Sequence, residues 1–305
     1  MLVSAFPAYL VAVIFVIPLL LTAAHLRTPR TVGDDQRSPC KQISCLPRIL
    51  NSAVLFALAY NVVFLFQELW LVLPKAYLGM RATLFHNNHD WQINHPLQDL
   101  LQGTGALAII ILGLISVAVL ARLRDSTGPF RLFAIWMVYQ SLAQSLPQLA
   151  DLVMNPDGDV GTALTYLGVN QNAGAVIGYL SFAAVALIGV QLSRMVLELA
   201  PSDDFVRTPK ARVVFVFQIG ILAGLLGFAL IIPFRLPPFE LEPLIGPFLL
   251  AFFPMLWILA AATRHKATQP KGNQVNKQIA RTPVVTLVGL LAVCQYWLRD
   301  GLHFF

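Results

Sequence analysis

Three of the six histidines in the chain, His86, His89 and His95, fall within ten residues of one another. Asp90 lies in the same polar segment. Neutral imidazole nitrogens bind zinc, iron and copper, and carboxylates often complete such sites. A catalytic zinc needs three protein ligands and an open position for water. The segment therefore predicts a divalent metal, zinc or iron, bound by the three imidazoles and Asp90.

Two carboxylates near this segment could provide the acid–base chemistry of a bound metal. A metal lowers the pKa of its bound water to about 7, and a carboxylate within reach can then act as general base. Glu68 and Asp99 are the predicted catalytic residues. The sequence contains no H-E-x-x-H motif. The alternative is a polar loop at the membrane surface, whose histidines hydrogen-bond to the backbone and whose Trp91 is an interfacial anchor.

The composition places these residues in a membrane protein. Of the 305 residues, 57% are apolar and only 12% are charged, and the mean hydropathy is +0.70. Soluble proteins carry about 25% charged residues, so a soluble fold is excluded. The net charge of +6 lies in short loops next to apolar runs, where it faces lipid headgroups. The lipid bilayer is therefore the expected partner, and nucleic acid is not.

Eight apolar runs, each close to the roughly 20 residues that span a bilayer, divide the chain. Backbone groups in lipid must be paired within their own segment, so each run predicts a helix. The sequence thus predicts an all-α bundle of about eight spans, and no boundary divides residues 1–305 into separate domains. The predicted spans are 3–25, 49–73, 97–121, 131–153, 173–197, 211–233, 244–263 and 282–298.

Basic residues are distributed unevenly between the loops that join these spans. All but four of the 21 Lys and Arg residues lie in the first, third, fifth and seventh loops; the exceptions are Lys75, Arg81, Arg235 and Arg299. Loops rich in Lys and Arg remain in the cytoplasm. The sequence therefore predicts that both termini are extracytoplasmic and that the protein lies in the plasma (cytoplasmic) membrane.

Polar residues inside the spans gather toward the predicted extracytoplasmic side. On the fourth span they recur every three or four residues, which places them on one face of a helix that must contact protein or water. We expect a polar cavity in the outer half of the bundle. The alternative is that these side chains only bond one helix to another. The predicted lining residues are Asn61, Gln67, Gln98, Gln102, Gln140, Gln144, Gln148, Asp151 and Gln295.

Three functions are compatible with this arrangement. The preferred one is a metal-dependent, membrane-embedded hydrolase, because the histidine segment lies close to Glu68 and Asp99. The second is a transporter or channel for a small polar or cationic solute, based on Glu68 and the glutamine stripe. The third is a non-catalytic assembly subunit in which the polar residues only pack helices together.

Overall fold

The computed structural model describes residues 2–26, 45–126, 128–236, 242–265 and 278–305. Within these ranges the chain is mostly helical, with three short strands. Turns of π-helix interrupt the first and eighth helices and end the tenth. In chain order the helices are α1 (Leu2–Leu26), α2 (Leu46–Tyr77), α3 (Gln98–Arg122), α4 (Pro129–Gln148), α5 (Asp151–Met154), α6 (Asp159–Tyr166), α7 (Gln171–Leu197), α8 (Pro209–Arg235), α9 (Glu242–Ala262) and α10 (Arg281–Leu298).

Six of these helices are long and apolar enough to cross a membrane, namely α1, α2, α3, α7, α8 and α10. The prediction of a helical membrane protein is confirmed at this level. Helix α4 is 20 residues long but carries the glutamine stripe. The apolar stretch described for α9 is Phe252–Ala262. The count of eight spans and the location of the termini remain predictions.

Helix α2 is the centre of the bundle. It contacts α3, α4, α8 and α10, and most of its residues are buried. A helix that is apolar on all sides is stable only when other helices or lipid surround it. Next to it, the Trp136 indole of α4 donates a hydrogen bond to Ser52 Oγ of α2 at 3.2 Å. Helix α1 is held by α9 through Trp257 Nε1, which donates to Val13 O at 2.9 Å.

Three short strands form an antiparallel sheet that packs on the last turns of α2. They are β1 (Ala82–Leu84), β2 (His89–Trp91) and β3 (Leu302–Phe304), in the order β2-β1-β3. Gly301 precedes β3 with φ +89°, and a Cβ there would lie 2.7 Å from Phe85, so only glycine fits. The all-α prediction describes the bundle but omits this sheet. The sheet positions the histidine segment.

Helix α8 packs tightly on α2 at Gly227, where an added Cβ would lie 2.9 Å from Ala53 O and 2.6 Å from Phe56 Cδ1. We expect Gly227→Ala to lower the thermal unfolding midpoint of the protein in detergent by several degrees, because overpacking of this kind costs about 1–3 kcal/mol. Gly289→Ala is the matched control, since no atom lies within 4 Å of its added Cβ. Equal midpoints for the two variants would contradict the close packing.

Candidate functional site

Two charged side chains on α2 are buried close to the small sheet. Helix α2 continues through Pro74 to Tyr77 and does not end at residue 73 as predicted. Glu68 and Lys75 therefore lie two turns apart on the same side of one helix. Glu68 is 6% exposed and Lys75 is fully buried. Buried charges require partners, and the sheet provides one.

The hairpin of β1 and β2 brings His89 to Glu68. His89 Nδ1 lies 2.9 Å from Glu68 Oε2. On the other side of the ring, Nε2 lies 3.3 Å from Gln102 Oε1 of the α3 segment. The imidazole and carboxylate side chains are only 7% and 8% exposed. The pair therefore lies in a largely water-free environment, where the interaction between charges is strong.

The hydrogen bonds around Gln102 define the protons on His89. Lys75 Nζ donates to Gln102 Oε1 at 2.7 Å. An ammonium group can only donate, so the amide oxygen, and not the amide nitrogen, must face it. The same oxygen faces His89 Nε2, and the Glu68 carboxylate faces Nδ1. With Glu68 ionised, both ring nitrogens are donors, and the doubly protonated imidazolium form of His89 satisfies every contact.

The contacting side chains of Glu68, Lys75, His89 and Gln102 form one cluster, the Glu68 cluster. Trp91 covers this cluster on the side of the sheet. Lys75 Nζ lies 3.9 Å from the centre of the indole ring, a distance at which cation–π attraction is substantial. The indole also stacks on His89, with ring centres 5.9 Å apart and an angle of 18° between the planes. Trp91 therefore contacts two charged members of the cluster. The sequence indicated it only as an interfacial anchor.

The glutamine stripe of α4 continues from this cluster into the bundle. Gln148 Nε2 donates to Gln67 Oε1 at 3.3 Å, and Gln67 precedes Glu68 on α2. Gln144 Nε2 donates to Gln140 Oε1 at 3.1 Å. Gln140 is fully buried, and its Nε2 has no partner among the described residues. The stripe thus faces protein, links α4 to α2, and extends about 12 Å along α4.

The other predicted metal ligands are placed differently. The His95 Nδ1 atom accepts a hydrogen bond from Leu97 N at 3.1 Å, and Asp90 is exposed. His86 is buried, and neither of its ring nitrogens has a hydrogen-bond partner within the described ranges. In the described parts of the chain, no three His, Cys, Asp or Glu side chains are grouped closely enough to hold a metal. The metal and its ligands remain predictions from the sequence.

The remaining predicted site residues have local roles in the structure. Asn61 donates to Ala57 O one turn earlier on α2. Gln295 donates to Pro233 O and Leu236 O, at the end of α8. Gln98 Oε1 accepts a hydrogen bond from His95 N at 3.4 Å. Asp99 is exposed, and Asp151 is half-buried at the start of α5. The cavity that these residues were predicted to line remains a prediction.

Two charged residues around Glu68 and His89 were not predicted from the sequence, namely Lys75 and Asp159. Lys75 had a local signal, because it follows Glu68 by seven residues, but the predicted span ended at residue 73. Asp159, at the start of α6, interacts electrostatically with Glu68, Lys75 and His89. It lies far from them in the sequence and has no local signal.

The environment of Asp159 predicts a pH dependence of stability. Burial raises the pKa of Asp159 above 3.8; His89 and Lys75 oppose the increase, and Glu68 adds to it. The folded protein therefore holds this proton more tightly than the unfolded chain. Stability falls as the pH rises from about 4, the unfolded value, through the raised folded value. We expect the unfolding midpoint of Asp159→Asn to rise relative to that of wild type as the pH increases above about 4.

The control for this measurement is Asp157→Asn, because Asp157 is exposed in the same loop. Its midpoint should follow that of wild type across the pH range. A difference between Asp159→Asn and wild type that does not change with pH would contradict the raised pKa of the half-buried Asp159.

Comparisons with known proteins do not assign the chain to a family. No protein-family model, curated protein or solved structure matches it. The proposed function therefore depends on the side chains of the cluster itself.

Proposed function

We propose that the protein is an integral membrane transporter for a small cationic or polar solute, with Glu68 and His89 as its binding site. The observation that carries this proposal is the buried hydrogen bond between these two side chains. An ionisable residue inside a membrane bundle is a functional candidate by default, because burying its charge is costly.

The charges of the cluster suggest how solute and proton are coupled. Among the described residues, Glu68 is the one acidic side chain that is buried. Its carboxylate contacts His89, which carries two protons when Glu68 is ionised. A cation that approaches Glu68 is repelled by the imidazolium and is favoured when His89 releases a proton. Solute binding and proton release are therefore linked at the same carboxylate.

The glutamine chain supplies the route inward from this site. Each amide offers donors and acceptors, which suits polar as well as cationic solutes. The chain ends at Gln140, whose buried Nε2 has no partner among the described residues. From Gln148 to Gln140 it extends about 12 Å, which is less than half of a hydrocarbon core of about 30 Å.

We also propose that eight helices cross the membrane, namely α1, α2, α3, α4, α7, α8, α9 and α10. Both termini and the Glu68 cluster then lie on the extracytoplasmic side of the plasma membrane. Each predicted span overlaps one of these helices. Helix α4 contacts α2, α3, α7 and α9. A helix surrounded by other helices does not need a uniformly apolar surface, which accounts for the glutamines of α4.

Cysteine labelling tests this topology. In a protein whose native cysteines are replaced by serine, we introduce Arg122→Cys, Asp157→Cys and Asp204→Cys, all at exposed positions. A membrane-impermeant maleimide should label Asp157→Cys in intact cells, and the other two only after permeabilisation. The comparison tests α4 and α7 separately, because each lies between two of the positions. Labelling of Arg122→Cys and Asp157→Cys from the same side would exclude a membrane-spanning α4.

Transport is tested in proteoliposomes that contain a pH-sensitive dye and receive pulses of sodium, potassium or methylammonium. We expect at least one of these cations to drive proton movement in wild type. Glu68→Gln and His89→Gln should reduce the initial rate about tenfold or more, because each removes one charge of the pair. Asp157→Asn, at the same end of the bundle, should not change the rate.

Two results would contradict transport. One is the absence of proton movement with all three cations. The other is stoichiometric zinc or iron in the purified wild type that is lost in His89→Gln, which would favour the metal-dependent hydrolase predicted from the histidine segment.

A further inference from the structure

Arg235, at the end of α8, is a buried cation with no counter-ion among the described residues. It is 3% exposed, and no carboxylate of these residues lies within 4.0 Å of its guanidinium. Its Nη1 donates to His86 O at 3.3 Å, and the guanidinium also forms a hydrogen bond with the Tyr60 side chain. Its Nη2 has no hydrogen-bond partner in the described part of the chain. The guanidinium lies 3.5 Å from the centre of the Phe64 ring, which neutralises no charge.

Two other buried arginines show how this protein normally satisfies the group. Arg131 forms an ion pair with Glu198. Arg212 donates three hydrogen bonds of 2.7–3.2 Å to Ala262 O, Val206 O and Thr263 O, at the end of α9 and in the loop before α8. Arg131 also has one unpaired donor, Nε, but Glu198 compensates its charge. Arg235 differs because, among the described residues, no carboxylate forms an ion pair with it.

Glu68 does not fill this role for Arg235. The two groups interact electrostatically, but the Glu68 carboxylate is hydrogen-bonded to His89. Lys75, which is also buried, adds a second fixed positive charge to this end of the bundle. With Glu68 bound to His89, no carboxylate among the described residues forms an ion pair with Arg235, and an uncompensated buried charge is strongly destabilising.

His86 supplies a second unsatisfied group next to Arg235. It is 3% exposed, and neither ring nitrogen has a hydrogen-bond partner in the part of the chain that the structure describes. An imidazole ring carries at least one N–H donor in either protonation state. The two side chains thus combine one fixed positive charge with unused donors.

We propose that Arg235 and His86 form a binding site for a small monovalent anion of the size of chloride. The anion accepts hydrogen bonds from Arg235 Nη2 and from the His86 ring, and it supplies the missing negative charge. Because the Arg235 guanidinium carries one positive charge, a monovalent anion neutralises it. This anion site is separate from the proposed cation site at Glu68. The proposal holds whether or not the protein is a transporter.

The test compares chloride with gluconate at constant ionic strength on the full-length protein in detergent. A ligand that binds the folded state raises the unfolding midpoint with its concentration. We expect chloride to raise the midpoint of wild type and of Arg281→Gln, the control, since Arg281 is exposed. Arg235→Gln should lose this response. His86→Phe, which retains a ring but removes the donor, should weaken chloride binding about tenfold.

Crystals of the wild type grown in bromide provide a second measurement that does not require any variant to fold. An anomalous peak within hydrogen-bond distance of Arg235 Nη2 and the His86 ring is expected. Equal wild-type midpoints in chloride and gluconate would overturn the proposal, and so would bromide-soaked crystals without a peak at Arg235.

Discussion

The contact between the Glu68 carboxylate and the His89 imidazole holds this end of the molecule together. One partner lies on the central helix and the other on a strand of the small sheet, so this hydrogen bond adds to the apolar packing that connects the two. Removing one member of a buried pair typically costs about 3–5 kcal/mol, because the other charge is left without a partner. The site and the local fold are therefore stabilised by the same interaction.

The neutral side chains of Gln102 and Trp91 contact the positively charged groups next to Glu68. Gln102 accepts from both Lys75 and His89, and the indole of Trp91 contacts the same two residues. These contacts fix the orientation of the imidazole without adding negative charge. Farther away, Arg235 contacts the side chains of Tyr60 and Phe64 and the backbone oxygen of His86. Among the described residues, this end of the bundle therefore has more buried positive than negative charge.

The helices could be predicted from the sequence because lipid requires long apolar segments, and the observed bounds differ from the predicted ones by a few residues. Glu68 and His89 were also identified, as an expensive carboxylate and as part of a histidine segment. Their partners were not. Lys75 was missed because α2 continues beyond Pro74, and Asp159 and Arg235 reach the site only through tertiary packing. The sheet was missed because three-residue strands have too little periodicity to be recognised.

Strand β3 has a consequence for the order in which the protein matures. Thr83 Oγ1 of β1 contacts His303 Nδ1 of β3 at 2.9 Å, across 220 residues of chain. At a synthesis rate of about 5–20 residues per second, the ribosome needs roughly 10–40 s to produce the residues between them. During this interval one edge of β1 has no strand to pair with, and an unpaired edge invites association with other chains. The sheet that carries His89 is thus completed only after the last strand has been synthesised.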